Sequence, residues 1–166
     1  MTADQIRAHI DEIRDEFAQE RSLILPALKF AQTEKGYLTA DDLAAVAEAT
    51  NLSQAFVESV ATFYDRIYLE KNGRWVISVC ITLPCMLRGS DELLHHICET
   101  LGLDHHGGTT PDGMFTVQEA QCLGACDRAA CIQVNADAMQ GPLTNEDASR
   151  LLDELRAAPA PTEYAR

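Results

Sequence analysis

No stretch of this chain approaches the roughly 18 consecutive apolar residues that a membrane-spanning helix needs, so a bilayer span is not expected. Basic residues are scarce: 13 Lys and Arg stand against 26 Asp and Glu, a net charge of -13. A polyanion would be repelled by such a surface, which opposes nucleic-acid binding and docking on anionic lipid; the acidity serves solubility. The first residues, MTADQIRAHIDEIRDEF, lack both the apolar core of a secretory signal and the Arg-rich, acid-poor character of a transit peptide. The expectation is a cytosolic, bacterial product in a reducing compartment, where structural disulfides are rare and cysteine clusters point to metal or redox chemistry. Also missing are internal repeats, a C-x-x-C pair of the dithiol oxidoreductase kind, and a G-x-G-x-x-G after a strand, so nothing on this chain is expected to position a nicotinamide.

What is present is a helical first part and a mixed second part. Ile6, Ile10, Ile13 and Phe17 recur at spacings that put them on one helical face, predicting a helix over about residues 3 to 20. SLILPALKFAQTEKG predicts a second, with Ser22 as N-cap, Pro26 in the first turn and Gly36 at the stop. Thr39 with Asp42 resembles a capping box ahead of a third, ending at Asn51. Ser53 caps a fourth, along which Phe56, Val60 and Phe63 align. Four short helices with brief connections read as a small bundle. After Tyr64 the pattern becomes β-branched and aromatic around Asn72-Gly73, with WVISV as a strand and the segment before it an extended arm or a hairpin partner. A helix over about 90 to 101, a Gly-rich loop at HHGGTTPDG, strands at MFTVQEA and CIQVN, and a helix over about 145 to 157 complete an α/β reading with a small sheet.

Six cysteines carry the chemistry. Cys80 and Cys85 form C-x4-C, Cys122 and Cys126 form C-x3-C, and 36 residues separate the pairs. Each pair follows a predicted strand, so the two can converge on one metal centre. A 2Fe-2S cluster takes four thiolates, two per iron, and Gly124 permits the positive φ that a tight wrap needs. Zinc competes for the same ligands, and the spacing favours iron only modestly. Cys98 and Cys131 read as core thiols. The His95-His96 and His105-His106 pairs read as surface or satisfied polar groups, since adjacent histidines on a helix point in different directions.

The succession LPALKFAQTEKGYLTADDLAAVAEATNLSQAFVESVATFYDRI, then VC with C-x4-C and LRG, then DGMFTVQEAQCLGAC, resembles the E subunit of bacterial NADH:quinone oxidoreductase, respiratory complex I, over about residues 20 to 155. Relatives of that subunit also serve NAD-linked hydrogenases and formate dehydrogenases, which these motifs do not exclude. The resemblance implies an α+β architecture: an N-terminal helical bundle over residues 1–65 and a thioredoxin-like α/β domain with a small mixed sheet over 66–158; the tail over 159–166, which lacks periodicity and carries Pro159 and Pro161, is expected to be flexible. It implies one 2Fe-2S cluster on Cys80, Cys85, Cys122 and Cys126. It further implies that NADH and FMN bind on a partner F subunit, with the chain peripheral on the cytoplasmic side of the inner membrane. A zinc-stapled interaction module and a thiol-disulfide enzyme are the rival readings. Family members commonly have Ala-Pro where this chain has Ala129-Ala130; because a cis bond before a non-proline residue costs about 3 to 4 kcal/mol, a trans bond and an altered loop are expected there.

Overall fold

Thr2 opens the first helix with a reciprocal capping box, its hydroxyl accepting from the Gln5 N–H while the Gln5 side chain accepts from the Thr2 N–H. In the computed structural model the described residues are 1–135 and 139–159; residues 160–166, most of the expected flexible tail, lie outside them. Two compact units follow one another along the chain, Met1–Lys71 and Asn72 onward.

The first unit is helical: α1 (Ala3–Ile13), α2 (Ile24–Gln32), α3 (Ala40–Thr50) and α4 (Gln54–Phe63). Its core includes Ile6, Ile10, Leu28, Ala31, Leu38, Val46 and Val57. Helix α1 is shorter than its apolar period predicted. It ends at Ile13, and a 3-10 turn leads to Phe17, which packs on the core from extended backbone. Asp15 and Glu16 fall where the helix's negative end would be, so they do nothing to prolong it. A 3-10 turn over Glu20–Leu23 also replaces the expected Ser22 cap of α2, and no side-chain cap forms there. Pro26 does sit in the first turn, where its missing N–H is not needed. Helix α3 has the expected Thr39–Asp42 box and ends on Asn51 in the left-handed region. Helix α4 buries Val57 and Ala61, whereas Phe56 and Phe63 of the aromatic row are exposed.

Asp42 is the buried charge of this unit. Its carboxylate accepts from the Thr39 hydroxyl at 2.6 Å and N–H at 2.8 Å, and pairs with Lys35 at 2.7 Å. Burial alone would raise its pKa, but Lys35 and Thr39 override that and hold it at about 2. The folded value lies below the unfolded one, so the stabilisation is complete above the unfolded pKa of about 4 and is lost as pH falls toward 2. Denaturant midpoints should therefore show the wild type losing roughly 1–2 kcal/mol more than Asp42→Asn between pH 6 and pH 2. Parallel losses in the two proteins would refute this.

The second unit contains β1 (Trp75–Cys80), α5 (Leu83–Met86), α6 (Ser90–Leu101), β2 (Gly108–Thr109), β3 (Phe115–Ala120), β4 (Ile132–Val134) and α7 (Asn145–Ala157). Its mixed sheet has the order β2-β3-β1-β4, with β1 parallel to β3 and antiparallel to β4, and β2 antiparallel to β3. Edge strand β2 lies in what the sequence predicted as a Gly-rich loop. Residues 66–74 form an arm and not a hairpin strand. Gly73 donates its N–H to Thr116 Oγ1 at 2.7 Å, and a Cβ there would stand 2.5 Å from the Phe115 backbone, so only glycine lets the arm pass. Strand β1 turns Trp75, Ile77 and Val79 toward a core shared with Leu93, Ile97 and Cys98 of α6 and with Ala148 and Leu152 of α7. Cys98 is thus the core thiol expected.

The Ala129–Ala130 bond is cis, which corrects the expected trans geometry. The expectation weighed one peptide bond in isolation, whereas the fold ties down both of its sides. Ala129 and Ala130 are buried, the Ala130 carbonyl accepts from the Leu143 N–H at 3.1 Å, and the Cys131 carbonyl accepts from the Cys80 N–H at 3.1 Å.

Candidate metal centre

Because β1 and β3 run in parallel with Cys80 opposite Ala120, both strands end at the same edge of the sheet. The Ile81 N–H donates to the Ala120 carbonyl at 2.9 Å, extending the pairing one step further. From that edge one loop carries the chain through Thr82 into α5 and Cys85, and the other leads to Cys122 and Cys126. Pro84 sits at the start of α5, where it costs no hydrogen bond, and the Cys85 N–H closes the turn on the Thr82 carbonyl at 2.8 Å. Gly124, between the second pair, has φ +73 with open space around the missing Cβ.

The sulfurs of Cys80, Cys85 and Cys131 lie within 4.8 Å of one another, all three buried. Cys85 Sγ and Cys131 Sγ are 3.7 Å apart. Cys122 and Cys126 are exposed, and they lie outside this group. Their loop nevertheless meets the first pair. The Leu123 N–H donates to Cys80 Sγ, Ala125 is buried with Cys80 and Cys85, and Leu123 packs against the same cluster. Cys80 and Cys85 thus stand beside one another, and Cys131, read from the sequence as a core thiol, is buried with them. Periodicity could not reveal this, because Cys131 precedes β4 and its neighbour across the sheet edge depends on the β1–β4 register.

The pocket around these sulfurs favours negative charge unequally. Burial alone would raise the Cys80 thiol, but N–H groups of Thr82 and Leu123 and the Thr82 hydroxyl bring it down to about 7. Burial pushes Cys85 up, against one donated N–H from Cys131. Cys131 is pushed up to about 12 by burial and by the neighbouring sulfurs. Thiolates with backbone N–H donors are the donor set that soft iron and zinc ions take, so these residues fit such a group. The histidines are engaged elsewhere: His96 Nε2 lies 2.8 Å from Ser149 Oγ and His106 Nδ1 lies 3.1 Å from Glu119.

A parallel-cored sheet with two cysteine-bearing loops at one edge defines a thioredoxin-like iron–sulfur protein, and the chain belongs to the thioredoxin-like 2Fe-2S ferredoxin family, which matches residues 10–156. Within it, the chain is similar to the E 2 subunit of NADH-quinone oxidoreductase from Rhizobium meliloti (strain 1021), 38% identical over 161 residues, covering 97% of this chain and 95% of the relative. It is 36% identical over 137 residues to NADH-quinone oxidoreductase subunit 2 of Thermus thermophilus, covering 82% of this chain and 75% of the relative. The fold also matches a solved NAD+-reducing NiFe-hydrogenase in the H2-reduced state, with TM-score 0.70 and 23% identity over 81% of this chain; the match spans 22% of that chain.

Proposed function

We propose that this chain is the electron-transfer subunit of an NADH:quinone oxidoreductase, holding one 2Fe-2S cluster through Cys80, Cys85, Cys122 and Cys126. The observation that carries the reading is the docking of the Leu123–Ala125 stretch onto Cys80 and Cys85, which supports one centre shared by both pairs. When bound, the cluster would supply one-electron chemistry, with flavin on the partner F subunit, where NADH and FMN would bind, as the electron source. The protein's part is electrostatic. With four thiolates the centre carries a net charge of about -2 before the electron arrives and about -3 after it, so each N–H aimed at a sulfur favours the reduced state. Thr82, Leu123 and Cys131 supply such groups, and the Thr82 hydroxyl lies 3.6 Å from Cys80 Sγ.

A cluster is useful only when held near its donor, and exposed apolar side chains offer the means. Leu83, Met86 and Leu87 surround Cys85 on the outside of α5, with Leu87 77% exposed; in the helical unit Phe56, Phe63 and Tyr64 are exposed. These are the surfaces proposed to meet the F subunit. Among the described residues no helix is long and apolar enough to cross a membrane; a peripheral place on the cytoplasmic side of the inner membrane is part of the proposal. Leu87→Asp is expected to cut copurification of the F subunit at least about tenfold, as loss of a central apolar contact does, with iron content unchanged. Retained copurification would rule that surface out.

Anaerobic reconstitution of the purified chain tests the cluster itself. The expected product is coloured, holds about two irons and two acid-labile sulfides per chain, and bleaches with dithionite. A colourless protein that takes up only zinc overturns the reading. The hydrogenase match favours one alternative, an equivalent subunit of an NAD-linked hydrogenase, and copurification with a NiFe subunit instead of a quinone-reducing complex would establish it.

A further inference from the structure

Cys131 is not one of the four proposed ligands, yet it touches the site more closely than either member of the second pair is seen to do. Its Sγ is 3.7 Å from Cys85 Sγ. Its N–H donates to Cys85 Sγ, and its carbonyl accepts from the Cys80 N–H at 3.1 Å. Three backbone or side-chain atoms of one residue thus bracket both ligands of the first pair. The side chain is fully buried, packed with Ala125, Ala129 and Met139.

From this geometry we infer that Cys131 is a positioning residue for the cluster, its thiol donating an S–H···S hydrogen bond to the Cys85 sulfur and so raising the reduction potential. The inference rests on the proposed ligand set. Once Cys85 is a metal-bound thiolate it has no proton to give, so of the two sulfurs 3.7 Å apart only Cys131 can be the donor. Cys131 is not among the proposed ligands, so it brings an ordinary thiol S–H to within hydrogen-bonding reach of the Cys85 sulfur. The donated bond favours whichever redox state holds more charge on the ligand sulfurs. That is the reduced state, as it is for the backbone N–H groups, so the bond shifts the potential upward. The backbone donor from residue 131 survives any side-chain substitution, which lets the thiol's own contribution be isolated.

Full-length wild type, Cys131→Val, Cys131→Ala and Cys131→Ser, each reconstituted anaerobically and matched for iron and sulfide, are titrated with dithionite under spectroscopic monitoring. At the wild-type midpoint, the valine and alanine variants should have a reduced-to-oxidised ratio lower by up to about tenfold, which is a shift of about 59 mV for a one-electron couple. Serine, with a hydroxyl donor in the same place, should restore the wild-type potential or exceed it. Infrared spectra of the loaded wild type should show an S–H stretching band that disappears in Cys131→Val while the bands of other thiols remain. A purely structural role would alter loading or stability and leave the potential in place. Loaded variants whose potentials all coincide, or a loaded wild type without the Cys131 S–H band, overturn this inference alone. A wild type that takes up no iron overturns it together with the ligand set beneath it, and iron content tells the two failures apart.

Discussion

Cys85→Ala is expected to leave a folded, colourless protein with iron and sulfide at background after reconstitution. Three thiolates cannot complete the two-per-iron set, and the lost one is the buried proposed ligand on α5. Cys122→Ala should have the same effect despite that residue's exposed position, whereas Cys98→Ala, in the core under α6, should load fully. This contrast separates cofactor loss from general damage, since removing the core thiol perturbs packing and leaves the ligands in place. Near-complete iron in Cys85→Ala would mean that Cys131 can stand in as a ligand, and the assignment of Cys80, Cys85, Cys122 and Cys126 would have to be redrawn.

Gly141→Ala is expected to destabilise the second unit by about 2–3 kcal/mol, the cost of overpacking against backbone. An added Cβ would lie 2.2 Å from the Arg128 carbonyl oxygen, 2.9 Å from that of Ala130 and 3.0 Å from Cys131 Cβ. None of these is the far end of a flexible side chain, so the chain on either side of Ala129–Ala130 has to move. Gly113→Ala provides the comparison. That position has φ +67 but open space, and it should cost only about 1–2 kcal/mol, the left-handed penalty. Thermal unfolding should place Gly141→Ala below Gly113→Ala, by about 4–8 °C for each kcal/mol that separates them, given the size of the unit. The reverse order would show that the packing around Cys131 yields more easily than its distances suggest.

Local signals in the sequence foretold local structure well. Thr39 with Asp42, Ser53 ahead of α4, and the α6 and α7 segments are all read from neighbours within four residues, the range over which caps and helical faces act. The family resemblance and the small mixed sheet were legible as well, because C-x4-C and the CLGAC stretch are specific patterns. What could not be read depends on partners far along the chain. Strand β2 is two residues long and exists through its pairing with β3. The aromatic row of α4 has helical spacing, but spacing cannot say which face is inward, and Val57 and Ala61 took the core. The Ala129–Ala130 geometry follows from contacts with Leu143 and Cys80, and the place of Cys131 follows from the β1–β4 register.

Parallel pairing of β1 with β3 also dictates an order of assembly. Such strands cannot be joined by a tight turn, and here the whole of α6 and β2 is made between them. During synthesis Cys80 and Cys85 therefore leave the ribosome well before Cys122 and Cys126, and the neighbouring ends of β1 and β3 exist only after that crossover has folded. Iron and sulfide are consequently expected to bind only once the sheet has formed, with the two late cysteines as the solvent-facing members of the set.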